Sequence, residues 1–269
     1  MPIDAVSVPR ACIYKSQHGL LDQVVLGADH IDALATLRVY FNQDPELGGL
    51  YTGRSFERFD GSGDRTAVRD QVTAADVLSL SFLSITDGVA VATTVTHAEE
   101  IATLLRQLPL DVPMYESPLA TYTPESPAHE LWRLLCRSGG KHRPVTANKL
   151  LARKRPHLLP VYDSQVAAHL GRPDSIWACL WTWFANDPQR ATALLDLRTE
   201  AGGSDDISLL RCLDVVLWMR TTSDIRRRAQ QRYTTGRLRS GHRVLRLRGP
   251  HCSWPTQVNS CRKVPSRWR

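Results

Sequence analysis

The chain has 269 residues, 42% of them hydrophobic, so it is long enough to bury the core of one large domain or two small ones. No apolar run approaches the roughly 18–20 residues of a membrane-spanning helix, and MPIDAVSVPRACIY lacks the features of a secretory signal. The six cysteines are too scattered for a disulfide framework, and no His/Cys spacing resembles a zinc site. We therefore expect a cytoplasmic protein with reduced thiols, no membrane segment, no metal and no cofactor.

The net charge of +7 hides two regions of opposite sign. Residues 226–269 contain thirteen basic and no acidic residues, which leaves 21 basic and 27 acidic residues in 1–225, a net charge of −6. This change predicts a domain over 1–225 and a basic tail over 226–269. The tail has two interpretations: an arm that grips nucleic-acid phosphates, or a disordered extension, including one read out of the native frame.

The N-terminal part of the chain has weak patterning. The first 25 or so residues are left as strand or coil, and the glycines of LGGLYTGRSFERFDGSGD predict a short extended or looped segment. Between these stretches, the spacing of Ile31, Leu34 and Leu37 predicts a helix over 29–43 that ends before Pro45.

Local capping patterns mark the next helix starts. Thr73 with Asp76, and Thr96 with Glu99, match the capping box and precede apolar runs. Ser126 stands ahead of a proline at a first helical position.

The remaining body also has helical spacing. The run over 176–186 is dense in aromatics, the run over 188–199 carries one apolar face, and the run over 207–220 is apolar on most faces, as in a helix buried at the centre of a bundle. The predicted fold class is mainly α, a multi-helix bundle.

A helix-hairpin-helix-like unit is predicted over about 127–171. Its order is helix, polar turn (138–144), helix (145–153), proline-bounded loop and helix (164–170). Two antiparallel helices joined by a turn with exposed N–H groups favour an anion such as phosphate.

The run VTANKLLARKRPHLLPVYD, together with YTGRSFERF, resembles an uncharacterised actinobacterial domain family of unknown function over about 30–222. This resemblance implies no activity. At a more distant level, the hairpin and the Pro-Val-aromatic-Asp step are similar to the helix-hairpin-helix DNA glycosylase superfamily, over residues 131–170. In that superfamily a Gly-apolar-Gly hairpin precedes a helix, and a Val-Asp step after a proline-containing loop supplies the catalytic aspartate.

The glycosylase resemblance implies a catalytic role for Asp163, with Tyr162 as a one-residue insertion in the motif. The carboxylate would stabilise positive charge on a sugar as its base departs, and orient a water. The lysine nucleophile of some members would fall at Val145, so a Schiff-base mechanism is not supported, and Lys149 is not predicted to be a nucleophile. An N-cap, worth ~1 kcal/mol, is the alternative for Asp163, and the two roles are compatible.

The resemblance also places the phosphate side of the hairpin. Its two glycine positions fall at Lys141 and Arg143, where side chains would crowd the approach of backbone to phosphate but could contribute charge. The predicted nucleic-acid contacts are Lys141, Arg143, Lys149, Arg153, Lys154 and Arg155. The alternative for the cluster ARKRP is a solvated, charged helix end.

Two aromatic stretches have open interpretations. The segment 51–59 interleaves aromatics with arginines, which fits a base-stacking surface or core aromatics with arginines paired to acids. Trp177, Trp181 and Phe184 share a helical face, which fits a flipped-base pocket or, more commonly, a core. Two functions follow: a DNA-binding, DNA glycosylase-like enzyme, or a catalytically inactive module that binds nucleic acid or protein.

Overall fold

The structure, a computed structural model, describes residues 14–41, 51–86, 94–137 and 142–222. All of these residues belong to the unit Met1–Arg226. The predicted basic tail over 226–269 and the predicted phosphate contact Lys141 lie outside the described residues.

The described part of the chain is mainly helical and contains no β-strand. Its α-helices are α1 (Lys15–Val25), α2 (His30–Phe41), α3 (Ala74–Ser79), α4 (Ala98–Arg106), α5 (Pro127–Cys136), α6 (Pro144–Lys154), α7 (Ser164–His169), α8 (Ile176–Asn186), α9 (Gln189–Glu200) and α10 (209–222), with a further helical turn at 94–96. Short 3-10 helices cover Thr52–Ser55, Phe59–Gly61, Leu80–Leu83, Met114–Glu116 and Leu119–Tyr122. Over these ranges no helix has the length and apolar character needed to cross a bilayer.

Two of the three predicted cap residues do begin helices. Thr73 accepts a hydrogen bond from the backbone N–H of Asp76 at 3.2 Å, and the Asp76 carboxylate accepts one from the Thr73 N–H at 2.9 Å, which completes the capping box of α3. Ser126 likewise caps α5. The third start is displaced, since α4 begins after His97; Thr96 already belongs to the helical turn at 94–96 and lacks the extended backbone of an N-cap.

The structure corrects one N-terminal prediction and decides between the two forms left open in another. Residues 15–25 form α1 rather than strand or coil, and this helix buries Leu21, Val24 and Val25. The segment 51–61 is not extended but winds through two 3-10 turns, helped by the left-handed backbone of Asp60 and Gly61 (φ 51° and 72°). Glycine adopts that conformation at little cost, and aspartate tolerates it better than most residues.

The core is built around α10. Its side chains Leu210, Leu213 and Val216 are at most 3% exposed, so the prediction of a central buried helix is confirmed. Helices α5 and α6 pack against each other, and α5 also packs against α4, while α9 packs against α1 and α2. The tip of the predicted hairpin, 138–141, lies outside the described residues, so the helix-hairpin-helix unit stays a prediction.

Candidate functional site between α6, α7 and α10

Asp163 lies at the start of α7, after the loop that follows α6. Its Oδ1 accepts hydrogen bonds from the backbone N–H groups of Gln165 and Val166 at 2.9 and 3.0 Å, so it is the N-cap of this helix. Its Oδ2 lies 3.8 Å from the Nζ of Lys149, and the Asp163 side chain is 14% exposed. One oxygen is therefore held by the helix end while the other faces a lysine.

Lys149 is one of the six residues predicted to contact nucleic acid. In the structure its side chain is buried, and its Nζ donates to the carbonyl of Leu83 at 2.9 Å. Burial lowers the pKa of Lys149, an effect that the negative charges of Asp163 and Asp214 oppose. The residue projects inward from α6, which places its ammonium beside the Asp163 carboxylate.

Both side chains line a cavity of about 440 Å³, here called the lysine cavity. This volume lies within the range of about 300–1,000 Å³ that is typical of ligand pockets. The aromatic residues in its wall are Tyr40, Tyr51, Phe82 and Trp218. The rings of Tyr40 and Tyr51 stack on each other with their centroids 5.3 Å apart. The lysine cavity thus combines charge with flat aromatic surface.

Arg211 brings further charge to this cavity from α10. Its guanidinium forms ion pairs with Glu57, at 2.5 Å, and with Asp214. The Nη2 group donates to the Tyr40 hydroxyl at 2.8 Å and to the Gly53 carbonyl at 3.1 Å. The contact with Glu57 has the distance of an ion pair but not the angles of a hydrogen bond, and the second carboxylate oxygen of Glu57 is buried without a hydrogen-bond partner.

These five groups, Glu57, Lys149, Asp163, Arg211 and Asp214, are called the cavity cluster. They carry three carboxylates against two cations, and the excess negative charge lies where water is scarce. Burial, with a smaller contribution from the charge of Asp163, raises the pKa of Asp214 to about 7 against the opposing effects of Arg211 and Lys149. The cluster therefore holds a carboxyl group that takes up a proton near neutral pH.

Sequence reasoning missed Arg211 and Asp214. The available signal was their position: an arginine and an aspartate three residues apart within the otherwise apolar run ISLLRCLDVVLWMR. Charged residues in a helix that is apolar on most faces must be buried with a partner, and buried pairs of this kind often mark functional sites.

The residues of the ARKRP cluster lie neither on a surface that could contact nucleic acid nor at a solvated helix end. Arg153, Lys154 and Arg155 are 2%, 1% and 0% exposed, so they lack the solvent access that phosphate contact or a solvated helix end requires. Arg153 and Lys154 share the carboxylate of Asp76, at 3.2 and 3.1 Å, and Arg155 pairs with Asp70 at 2.7 Å.

Backbone carbonyls satisfy most of the remaining donors of these three side chains. The accepting carbonyls include those of Phe56, Glu57, Phe59, Gly63, Val68, Arg69, Leu105 and Leu108. The three cations with Asp70 and Asp76 are called the scaffold cluster, because they fasten the segments around 56–69 and 105–108 to the end of α6. Converging carbonyls require a curved backbone, which explains why 51–61 is not a strand.

The remaining predicted contact, Arg143, is the half-buried N-cap residue of α6, and its backbone N–H donates to the Cys136 carbonyl at 2.8 Å. It stands at the start of the helix that carries Lys149 near its middle. Lysine 141 is outside the described residues, so the hairpin's phosphate side stays a prediction.

The aromatic stretches are largely part of the core. Phe56 is 1% exposed, and Arg58 pairs with Asp206 at 2.5 Å, as expected of aromatics that pack inward with arginines paired to acids. Trp177 and Phe184 are also buried. Trp177, however, lines a second cavity of about 330 Å³, whose wall includes Asp163.

Two features lie away from the residues predicted for catalysis or nucleic-acid contact. A further cavity of about 780 Å³, near Tyr115 and Arg198, has Phe184 in its wall but none of those residues. In the part of the chain that the structure describes, no group of three or more His, Cys, Asp or Glu side chains is placed to bind a metal ion.

The fold and the site define a helical protein with a charged, aromatic-walled cavity beside an N-cap aspartate. A family model, described as a family of unknown function (DUF6308), matches residues 33–221, and the chain belongs to this family. The resemblance to an uncharacterised domain family is thereby confirmed, while the glycosylase resemblance stays a prediction. Searches of curated proteins and of solved structures find no match to the chain.

Proposed function

We propose that the chain is a DNA glycosylase-like enzyme in which Asp163 assists cleavage of an N-glycosidic bond. The observation that carries the proposal is the position of the Asp163 carboxylate, in the wall of two cavities and 3.8 Å from Lys149. Both cavities have aromatic side chains in their walls, and enzymes that act on a base place it in a pocket of this kind.

The arrangement suits the charge that develops in such a reaction. The base leaves with the electron pair of the C–N bond, and positive charge builds up on the sugar. Water supplies a hydroxyl group to the anomeric carbon and a proton to the base, so one water is consumed. Asp163 Oδ1 is fixed by two backbone N–H groups, which leaves Oδ2 to face the developing charge without reorganisation.

Contact with DNA phosphates would come from cations other than the scaffold cluster, which is buried. Arg172 is exposed at the second cavity, and Arg143 lies at the head of α6. The net charge of −6 over 1–225 opposes DNA binding, so the thirteen cations of 226–269 would supply most of the attraction.

Base release from a panel of damaged duplexes tests the enzyme. We expect release by the full chain and loss of release with Asp163→Asn, which keeps an amide oxygen to cap α7 and removes the charge. Asp187→Asn is a matched control, because Asp187 accepts a hydrogen bond from the Gln189 N–H at the start of α9. It should release base as the unaltered chain does. Equal release by Asp163→Asn and the unaltered chain would overturn the assignment of Asp163.

A catalytically inactive module that binds nucleic acid or protein is the second candidate. The observation that favours it is the N-cap, since two backbone hydrogen bonds give Asp163 a structural role without any chemistry. No release from any duplex, together with DNA affinity that falls steeply with salt, would support this module. The same titration on a chain ending at Ile225 measures what the tail contributes.

A further inference from the structure

The second cavity, here called the asparagine cavity, adjoins the lysine cavity. Val145, Asp163 and Ser164 line both of them. The aromatic residues of the asparagine cavity are His129, Trp132, Tyr162 and Trp177. His129 lies against the rings of both tryptophans, with centroid distances of 5.3 and 6.1 Å, so the three form a continuous aromatic wall.

Asn148 is the polar side chain that stands out in this wall. It is 7% exposed and lines the asparagine cavity, while the next residue along α6, Lys149, lines the lysine cavity. Successive residues of a helix point about 100° apart, which sends the two side chains to different cavities. No hydrogen bond joins the Asn148 amide to a described residue, and its nitrogen and oxygen are not among the fully buried polar atoms, so the amide is open to the cavity and available to a ligand.

An unpaired amide beside aromatic rings defines the chemistry of a ligand. The amide offers one acceptor and two donors in a plane, which match a ring that bears an amino group next to an acceptor nitrogen. Asparagine pairs in this way with the N6 and N7 groups of adenine. Flat aromatic walls add stacking, which accepts any planar heterocycle.

We propose that the asparagine cavity binds a planar nitrogen heterocycle of the aminopurine type, stacked on Trp132 or Trp177 and hydrogen-bonded by Asn148. The inference deepens the proposed function, on which its reaction geometry rests. The heterocycle occupies the asparagine cavity, the sugar carbon lies near Asp163, and the rest of the nucleotide extends towards Lys149.

The charges of the two cavities support this division. The lysine cavity contains Lys149, Arg211 and Asp214, which suit sugar hydroxyls or a phosphate better than the edge of a neutral ring. The charged members of the asparagine-cavity wall, besides the shared Asp163, are Arg172 and Asp174, and both are exposed. Its deep part is therefore the less charged of the two.

Adenine binding to the full chain tests the site by tryptophan fluorescence and calorimetry. We expect adenine to bind, and unsubstituted purine, which lacks the amino donor, to bind about tenfold or more weakly. Asn148→Leu should lose this preference and weaken adenine binding on the order of tenfold to a hundredfold. Asn186→Leu is the control, because Asn186 is exposed at the end of α8, and it should leave adenine binding unchanged.

Several outcomes overturn the proposal. They are no adenine binding by the full chain, equal affinities for adenine and purine, or unchanged affinity in Asn148→Leu. If Asn148→Leu fails to fold in a thermal melt, Asn148→Asp replaces it, since a carboxylate lacks the two N–H donors and should also weaken adenine binding. Base release from duplex DNA is measured separately. Adenine binding without base release would contradict the proposed enzyme function but support the adenine-binding site.

Discussion

Helix α6 contributes cations to two clusters of buried charge, which differ in how completely their polar groups are hydrogen-bonded or paired. In the scaffold cluster, Arg153 and Lys154 share Asp76, and carbonyl groups take most of the remaining donors. In the cavity cluster, one oxygen of Glu57 has no partner, and an open volume of about 440 Å³ adjoins the charges. Buried charge that is saturated by backbone holds the fold, whereas buried charge beside a cavity is available to a ligand. The two clusters should therefore respond differently to substitution.

The largest effect is expected from Asp76→Asn in the scaffold cluster. This change leaves Arg153 and Lys154 buried without their carboxylate, and breaking a buried pair in this way costs about 3–5 kcal/mol. Urea unfolding of the full chain measures the loss. The control Asp205→Asn removes a carboxylate that is 98% exposed and should cost at most about 1 kcal/mol. Equal losses in the free energy of unfolding for the two variants would show that the scaffold cluster does not stabilise the fold more than an exposed ion pair does.

The cavity cluster should give the chain a pH dependence between about pH 4 and pH 7. The pKa of Asp214 is raised to about 7, so between about pH 4 and pH 7 the folded chain keeps a proton that the unfolded chain has released. The Asp214 contribution to the free energy of unfolding therefore falls as the pH rises through this window, by roughly 2–4 kcal/mol. Burial is the main cause of this shift; among the charged groups around Asp214, Asp163 adds to it, while Arg211 and Lys149 oppose it.

Urea unfolding at several pH values, compared between the unaltered chain and Asp214→Asn, isolates this contribution. Between pH 4 and 7 the stability of the variant should fall less steeply than that of the unaltered chain, and the raised pKa of buried Glu57 contributes to the slope that remains. Asp205→Asn, whose carboxylate is exposed, should keep the slope of the unaltered chain. Parallel slopes for the unaltered chain and Asp214→Asn would contradict the prediction.

Alanine substitutions at Gly63, beside the scaffold cluster, and at Gly53, beside the cavity cluster, test how rigid the two clusters are. A Cβ on Gly63 would meet the Arg153 carbonyl at 2.6 Å and the Asp76 carboxylate at 2.7 Å, whereas a Cβ on Gly53 would meet the Tyr40 hydroxyl at 2.1 Å. Backbone in the scaffold cluster cannot yield, but a tyrosine beside a cavity can move. Both alanine variants should be destabilised, by about 1–3 kcal/mol, with Gly63→Ala the more costly.

Thermal or urea unfolding measures the stability lost in Gly53→Ala and in Gly63→Ala. Gly19→Ala is the reference, since a Cβ at Gly19 in α1 meets no atom within 4 Å, and it should be neutral or stabilising by up to about 1 kcal/mol. A larger loss for Gly53→Ala than for Gly63→Ala would reverse the assignment of rigidity.

The smallest effect on stability is expected at Asn148. Its amide makes no hydrogen bond with a described residue, so Asn148→Leu should change the free energy of unfolding by less than about 1 kcal/mol while it abolishes the preference for adenine over purine. A loss of several kcal/mol would mean that the amide is structural, and the ligand argument would fail with it.

The features that could be predicted from the sequence are those set by residues close together in the chain. Thr73 and Ser126 begin helices because their hydroxyl groups cap N–H groups three residues away. The cavity cluster instead depends on pairs such as Glu57 with Arg211, which are distant in the chain and reveal themselves only through the fold. Asp163 was singled out by the glycosylase resemblance, and its alternative role as an N-cap could be predicted because it is also local.

The ARKRP cluster shows that several adjacent charges in a sequence do not always lie on the surface. Three adjacent cations are usually solvated, since burial of each one costs several kcal/mol without partners. Here the partners are mostly carbonyl groups of the segments around 56–69 and 105–108, and carbonyl groups leave no trace in a sequence. The acidic partners Asp70 and Asp76 are also separated from the cluster by more than 70 residues.

The burial of Arg153 and Lys154 also makes them natural reporters for a protease. Trypsin cleaves after such residues only where the chain can enter its active site in extended form, and these side chains are fastened inside the domain. Peptides that end at either residue would come from molecules whose α6 end has opened, so their yield counts the opened population. The yield of peptides that end at Arg153 or Lys154, measured by mass spectrometry without a label, therefore reports how often this part of the protein opens.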